Sequence, residues 1–125
     1  MRQMFLSVVL LASINKGEVF VEHPEVAFKS NAIFGKTGTE TPVGVYVLEK
    51  AFSTKLQKNM LVFRKDDDGV YAIHPIIQVK GQNRQARLDS ATPIDNKISN
   101  GCINIPQNIF DKLWSIKHPI ILQVY

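Results

Sequence analysis

The chain's one cysteine, Cys102, follows Ser99-Asn100-Gly101 and precedes Ile103-Asn104. A thiol reacts as its thiolate, so it needs a base or a positive field nearby and some exposure. Ser, Asn and Gly ahead of it suit a sharp turn. Such a turn lifts the side chain into a cleft and aligns backbone N–H groups, which serves a nucleophile and an oxyanion site together. The plain alternative is a buried structural cysteine, since free cysteines are among the most buried residues. Three histidines are candidate bases. His23 and His118 border prolines in loop-like contexts, whereas His74 ends the apolar run Tyr71-Ala72-Ile73 and opens a long connection. A strand end fixes an imidazole while its ring reaches a cleft, and a Cys–His pair is one recipe for acyl transfer.

The elements that must position these residues read as mostly β. With 125 residues, 45% of them hydrophobic, the chain suits one globular domain over 1–125 with a real core. Phe5–Ile14 and Glu18–Glu22 read as strands joined by a hairpin at Asn15-Lys16-Gly17, where Gly17 supplies the positive φ. Met4–Ala12, led by Arg2, also resembles the apolar region of a signal peptide. It lacks a good small-x-small cleavage site, so the strand reading is preferred.

Val26–Phe34, Val45–Leu48, Met60–Arg64, Val70–Ile73 and Pro119–Tyr125 complete the expected strands. Ala51–Asn59 reads as polar and irregular. Residues 76–98 read as one long connection carrying Lys80, Arg84, Arg87 and Lys97, and a loop of that length is functional or mobile. Ile109, Phe110, Leu113 and Trp114 give Pro106–Ile116 an amphipathic helical pattern, with Trp114 read as core.

Several function classes drop out. Gly35-Lys36-Thr37 mimics a phosphate loop, but the glycine that motif requires at position 30 is Ser30. Asp66-Asp67-Asp68-Gly69 lacks the spacing and distal Glu of a calcium loop and reads as a solvated turn. A single cysteine excludes an internal disulfide framework and a multi-thiolate zinc site supplied by this chain alone. The net charge of +4 and pI of 9.3 suit an anionic partner. No dense Lys/Arg run with interleaved aromatics appears, which argues against nucleic acid. No apolar stretch approaches the ~20 residues of a membrane span.

Three segments then combine. Ser99-Asn100-Gly101-Cys102-Ile103-Asn104 resembles the Ser/Thr-x-Gly-Cys-hydrophobic-Asn signature of the L,D-transpeptidase catalytic domain, the YkuD-type family. Thr41-Pro42-Val43-Gly44-Val45-Tyr46 is similar to that family's Thr-Pro-x-Gly-x-aromatic segment, and Ile73-His74 sits where the family places its histidine. All three occur in the family's order and cover roughly residues 5 to 125. Two departures stand out. Asn100 replaces the second histidine that many members carry before Gly-Cys, and the stretch from His74 to Cys102 is longer than in compact members, the extra length lying in Gln78–Asp95.

The resemblance implies a compact β-sandwich-like fold with one main helix near the C-terminus, without metal or cofactor. It implies that Cys102 attacks the carbonyl of the diaminopimelate-like third residue of a peptidoglycan stem peptide, expelling the terminal D-amino acid. The acyl group then passes to an amine acceptor. His74 acts as base, its other nitrogen donating to a backbone carbonyl, with that of Pro75 the first choice. Backbone N–H groups of Gly101 and Cys102, with Asn100 a further candidate, hold the oxyanion. Ser99 and Asn104 mainly brace the turn, and Tyr71 and Arg87 line the substrate groove. Arg87 either reaches a donor carboxylate or is an exposed solubilising charge. The location implied is the periplasm or cell envelope. Two alternatives remain: hydrolysis at the same site, as in an L,D-carboxypeptidase or wall-degrading toxin, and a non-catalytic module binding an anionic polymer.

Overall fold

Apolar residues at alternate positions place the first strands on either side of a core. The computed structural model describes residues 7–125, so Phe5 and Leu6 of the first expected strand lie outside the described residues. Strand β1 (Val8–Ser13) buries Val8, Leu10 and Ala12, and β2 (Glu18–His23) buries Val19 and Val21. They pair antiparallel as expected, with Gly17 at φ +65° in the hairpin. β2 returns through Pro24-Glu25 into β3 (Val26–Asn31).

The expected strand Val26–Phe34 is broken at this point. Ile33 bridges to Asn104 and β4 (Phe34–Gly35) leaves the first sheet. The chain turns and re-enters that sheet as β5 (Gly44–Val47). Residues 51–59, expected to be irregular, instead contain most of a strand, β6 (Glu49–Ser53), paired antiparallel with the long β7 (Lys58–Asp66). Glu49-Lys50-Ala51 carries little intrinsic β preference, and cross-strand pairing decides its conformation. After a turn in which Asp66 Oδ1 accepts the Asp68 N–H at 2.9 Å, β8 (Gly69–Pro75) pairs back along β7. The long connection is likewise structured. It holds a short helix α1 (Arg84–Asp89), a 3₁₀ turn (Pro93–Asn96) and β9 (Lys97–Ser99), which pairs parallel with β4. β10 (Ile103–Ile105), α2 (Gln107–Trp114) and β11 (Ile120–Val124) follow.

The first sheet has the order β3-β2-β1-β11-β5 and the second β10-β8-β7-β6. Their inner faces share one core with α2. Leu10, Val21 and Leu122 come from the first sheet, Leu61, Ile73 and Ile103 from the second, and Phe110 and Leu113 from the helix. The apolar stripe of α2 runs as its periodicity predicts, starting just after Pro106. Trp114 is half-buried, stacked on Phe110 with ring centroids 5.7 Å apart. Among the described residues, no helix is long and apolar enough to cross a membrane.

The loop between β4 and β5 braces itself. Buried Thr41 accepts the Gly35 N–H on Oγ1 at 2.9 Å. A Cβ at Gly35 would collide with the Thr39 carbonyl and the backbone of Thr41. Tyr46 shares its single hydroxyl proton between the carbonyls of Pro42 and Val43, each 3.0 Å away. Thr41→Val keeps the shape but leaves the Gly35 N–H buried and unpaired. We expect a loss of about 1–3 kcal/mol in urea denaturation, and an unchanged midpoint would show that this bond does not hold the loop.

Candidate active site

The parallel pairing of β10 with β8 aligns the candidate residues. Ile103 sits opposite Ile73 and Asn104 opposite His74. Alternation then turns Ile73 and Ile103 into the core and puts Val70, Ala72 and His74 on the outer face, where Cys102 joins them. That face lines a cavity of about 400 Å³ bounded also by Ser53, Lys55, Leu56 and Met60 of the β6–β7 hairpin, by Ile77 and Arg84, and by Ser99 and Asn100. Cys102, His74, Asn100 and Ser99 therefore line one cavity.

His74 is 3% exposed, and its Nδ1 lies 2.8 Å from the Pro75 carbonyl. A carbonyl only accepts, so Nδ1 carries the proton and Nε2 the basic lone pair. Burial pushes the His74 pKa below its ordinary 6.5. The Pro75 carbonyl opposes that shift, while Arg84 and Lys58 add to it. Cys102 is half-buried, with Sγ 3.8 Å from the Val70 carbonyl. Burial raises its pKa above the ordinary thiol value, and the Ala72 backbone N–H and the Arg84 charge pull it partly back. At rest the imidazole and the thiol on this cavity wall are thus both neutral, and the thiol donates to the Val70 carbonyl and not to His74.

The turn that presents Cys102 is built around Ser99, which is buried. Its hydroxyl donates to the Cys102 carbonyl at 2.6 Å and accepts the Gly101 N–H at 3.1 Å. The Gly101 N–H is therefore engaged within the turn and, in this geometry, is not offered to an oxyanion. What position 101 supplies instead is conformation and space. Its φ is +122°, and a Cβ there would lie 2.7 Å from the Tyr71 ring.

Tyr71 accordingly sits beneath the turn and does not line the cavity. Strand alternation points it away from Ala72 and His74, toward Phe63, with ring centroids 6.3 Å apart. Asn104 is fully buried and accepts from Arg84 Nη1 on Oδ1 at 2.8 Å, a brace, not a cavity wall. Arg87 does not reach the cavity either. Helix α1 turns Arg84 and Leu88 inward at i, i+4, which leaves Arg87 exposed, its Nη1 3.4 Å from the Asp95 carbonyl.

Sequence reasoning missed Arg84 as a site residue. The Arg84/Leu88 spacing was a signal for a buried helical face, but a six-residue helix carries too few turns to make that pattern stand out. Lys55 and Leu56 were missed because residues 51–59 read as irregular, and Met60 because it read only as the start of a strand. Among the described residues, no group of three His, Cys, Asp or Glu could hold a metal ion.

Solved L,D-transpeptidase structures share this arrangement of two packed sheets with a helix near the C-terminus. The NMR structure of the catalytic domain of the Enterococcus faecium L,D-transpeptidase (E. faecium) superposes with a TM-score of 0.64 at 16% identity, covering 97% of this chain and 98% of that one. An L,D-transpeptidase from Mycobacterium tuberculosis H37Rv gives 0.61 at 24% identity, covering 94% of this chain and 57% of its own. L,D-transpeptidase 3 from M. tuberculosis, in complex with a faropenem-derived adduct, gives 0.60 at 19%, covering 94% and 60%. The chain spans only 55% and 61% of the length of two further matched structures, from Stackebrandtia nassauensis and M. tuberculosis. No curated protein sequence matches it significantly. The model of the L,D-transpeptidase catalytic domain, YkuD, matches residues 7–116. The chain belongs to this family.

Two outcomes are expected from this geometry. Gly101→Ala meets both the Tyr71 ring and a left-handed φ, so it should lower the melting temperature. Adding Tyr71→Ala should recover only part of that loss, because the φ penalty remains. Full recovery would assign the whole effect to the ring. For His74, a base whose pKa falls on folding makes the unfolded state take up more protons below about 6.5. Stability should therefore fall as pH drops below that value. Denaturation midpoints of His74→Gln should show a shallower decline than the parent; parallel curves would contradict the depressed pKa.

Proposed function

We propose that this domain is a cysteine acyltransferase acting on peptidoglycan stem peptides, with Cys102 as nucleophile and His74 as general base. The observation that carries the reading is the shared cavity: a half-buried thiol and an imidazole whose tautomer leaves Nε2 basic line the same space. Nε2 takes the thiol proton as sulfur attacks the carbonyl of the third residue of the donor stem. It then returns that proton to the departing amine of the terminal D-amino acid. The acyl-enzyme is resolved when an acceptor amine, deprotonated by the same nitrogen, displaces the thiolate. Because the resting pair is neutral, the proton moves during attack and not before it.

The oxyanion is held by the N–H of Cys102 together with that of Asn100, since the Gly101 N–H is committed to Ser99 Oγ. Gly101 serves by its φ, Ser99 and Asn104 by bracing, and Tyr71 by supporting the turn from beneath. The proposed setting is the cell envelope, where the polymer resides, and neither metal nor cofactor enters a step.

The test incubates the purified chain with a disaccharide-tetrapeptide and follows products by mass spectrometry. Crosslinked dimer, or exchange of the terminal residue for a free D-amino acid, is expected. Tripeptide alone would mean that water captures the acyl-enzyme and would favour the carboxypeptidase alternative. Cys102→Ala should abolish turnover and His74→Ala should lower it by about 10²–10⁴-fold. No turnover from a folded protein with a reduced, alkylatable Cys102 would sink the proposal.

A further inference from the structure

We infer that Arg84 is a carboxylate-binding residue, recognising a carboxylate of the acyl donor beside Cys102; this rests on reading the cavity as the donor site. Arg84 is 6% exposed and lines that cavity. Its guanidinium bonds two neutral amides, Gln82 Oε1 from Nε at 2.7 Å and Asn104 Oδ1 from Nη1 at 2.8 Å. Among the described residues, no carboxylate pairs with it. A guanidinium has five N–H donors, so most are left without a protein acceptor.

The cavity wall deepens the imbalance. Lys55 is a second cation on it, and no Asp or Glu contributes. Buried charges are strongly disfavoured unless an opposite charge meets them. Asn104, which braces Arg84 through Oδ1, lies outside the cavity and adds no charge to it. A planar carboxylate suits the two-pronged face of a guanidinium and would supply the missing acceptors and the missing charge. The thiolate alone does not suffice, because burial favours the neutral thiol. A stem tetrapeptide carries two carboxylates near the scissile bond: the terminal one of the leaving residue, and the side-chain one of a diaminopimelate-type third residue.

Two measurements test this. The first reads Cys102 itself, comparing alkylation rates with iodoacetate, which carries a carboxylate, and with neutral iodoacetamide. The iodoacetate-to-iodoacetamide ratio should fall about tenfold in Arg84→Gln. Arg84→Lys should restore part of it, and melting curves should show both variants folded. An unchanged ratio in a folded Arg84→Gln overturns the inference. If Arg84→Gln does not fold, Arg84→Lys carries the comparison, and a ratio in it equal to that of the parent overturns it.

The second uses Cys102→Ala, in which no reaction occurs, and measures binding of three peptides. These are a free tetrapeptide, its C-terminal amide, and a version with lysine at the third position. Loss of affinity with the amide assigns the terminal carboxylate, and loss with lysine the side-chain one. Equal binding of all three overturns the inference. If no peptide binds while the alkylation ratio still depends on Arg84, the stem-peptide reading fails and the carboxylate site stands.

Discussion

One hydroxyl holds the Cys102 loop in place. Ser99 Oγ spans the turn, giving its proton to the Cys102 carbonyl and taking the Gly101 N–H. That pair of bonds closes the backbone around Gly101, whose φ of +122° no ordinary side chain tolerates well. Ser99 is in turn fixed from the far side of the chain. The Lys36 N–H and the Thr39 hydroxyl both donate to the Ser99 carbonyl, at 2.9 and 3.1 Å. The loop supplying those donors is clamped by Thr41 and closed beyond Pro42 by Tyr46. Two motifs separated by nearly half the chain are thus one mechanical unit. The Thr-Pro-x-Gly-x-aromatic segment braces the loop that holds the cysteine turn.

The electrostatics of the cavity follow from burial. Taking an imidazole and a thiol out of water disfavours the charged form of each, lowering one pKa and raising the other. The Arg84 charge acts on both in the same sense, against imidazolium and for thiolate. It therefore opposes storing a proton on His74 at rest, yet favours negative charge on sulfur as it develops. A cation in that position favours anionic states over neutral ones without creating a preformed ion pair.

The β-rich architecture and the C-terminal helix were legible in the sequence because they rest on long apolar alternations and one strong helical stripe. The candidate nucleophile and candidate base stood out because a glycine-preceded cysteine and a strand-end histidine are local signals. Three features were not. β6 has the composition of a solvated segment and exists only because β7 pairs with it. The break after Asn31 depends on Ile33 bridging to a strand some seventy residues later. The roles of Tyr71, Arg84 and Arg87 depend on which face each presents, and a one-residue change in the phase of a short element exchanges inside for outside. Arg87 and Arg84 were equivalent as letters. Only the packing of Leu88 into the fold separates them.

That dependence on phase also explains why the site lies on the second sheet. Its inner face is used by the core through Ile73, Ile103 and Leu61, so alternate residues of β8 are free to build a cavity on the outer face. The parallel partner β10 brings Cys102 to the same face from a distant part of the chain, and a parallel pair needs a long crossover. Here the connection is residues 76–102, and it delivers Ile77 and Arg84 to the cavity wall. The connection that topology requires is thereby also the element that charges the site. A shorter crossover would still join the strands, but it would leave Asn104 Oδ1 without the donor that now holds it.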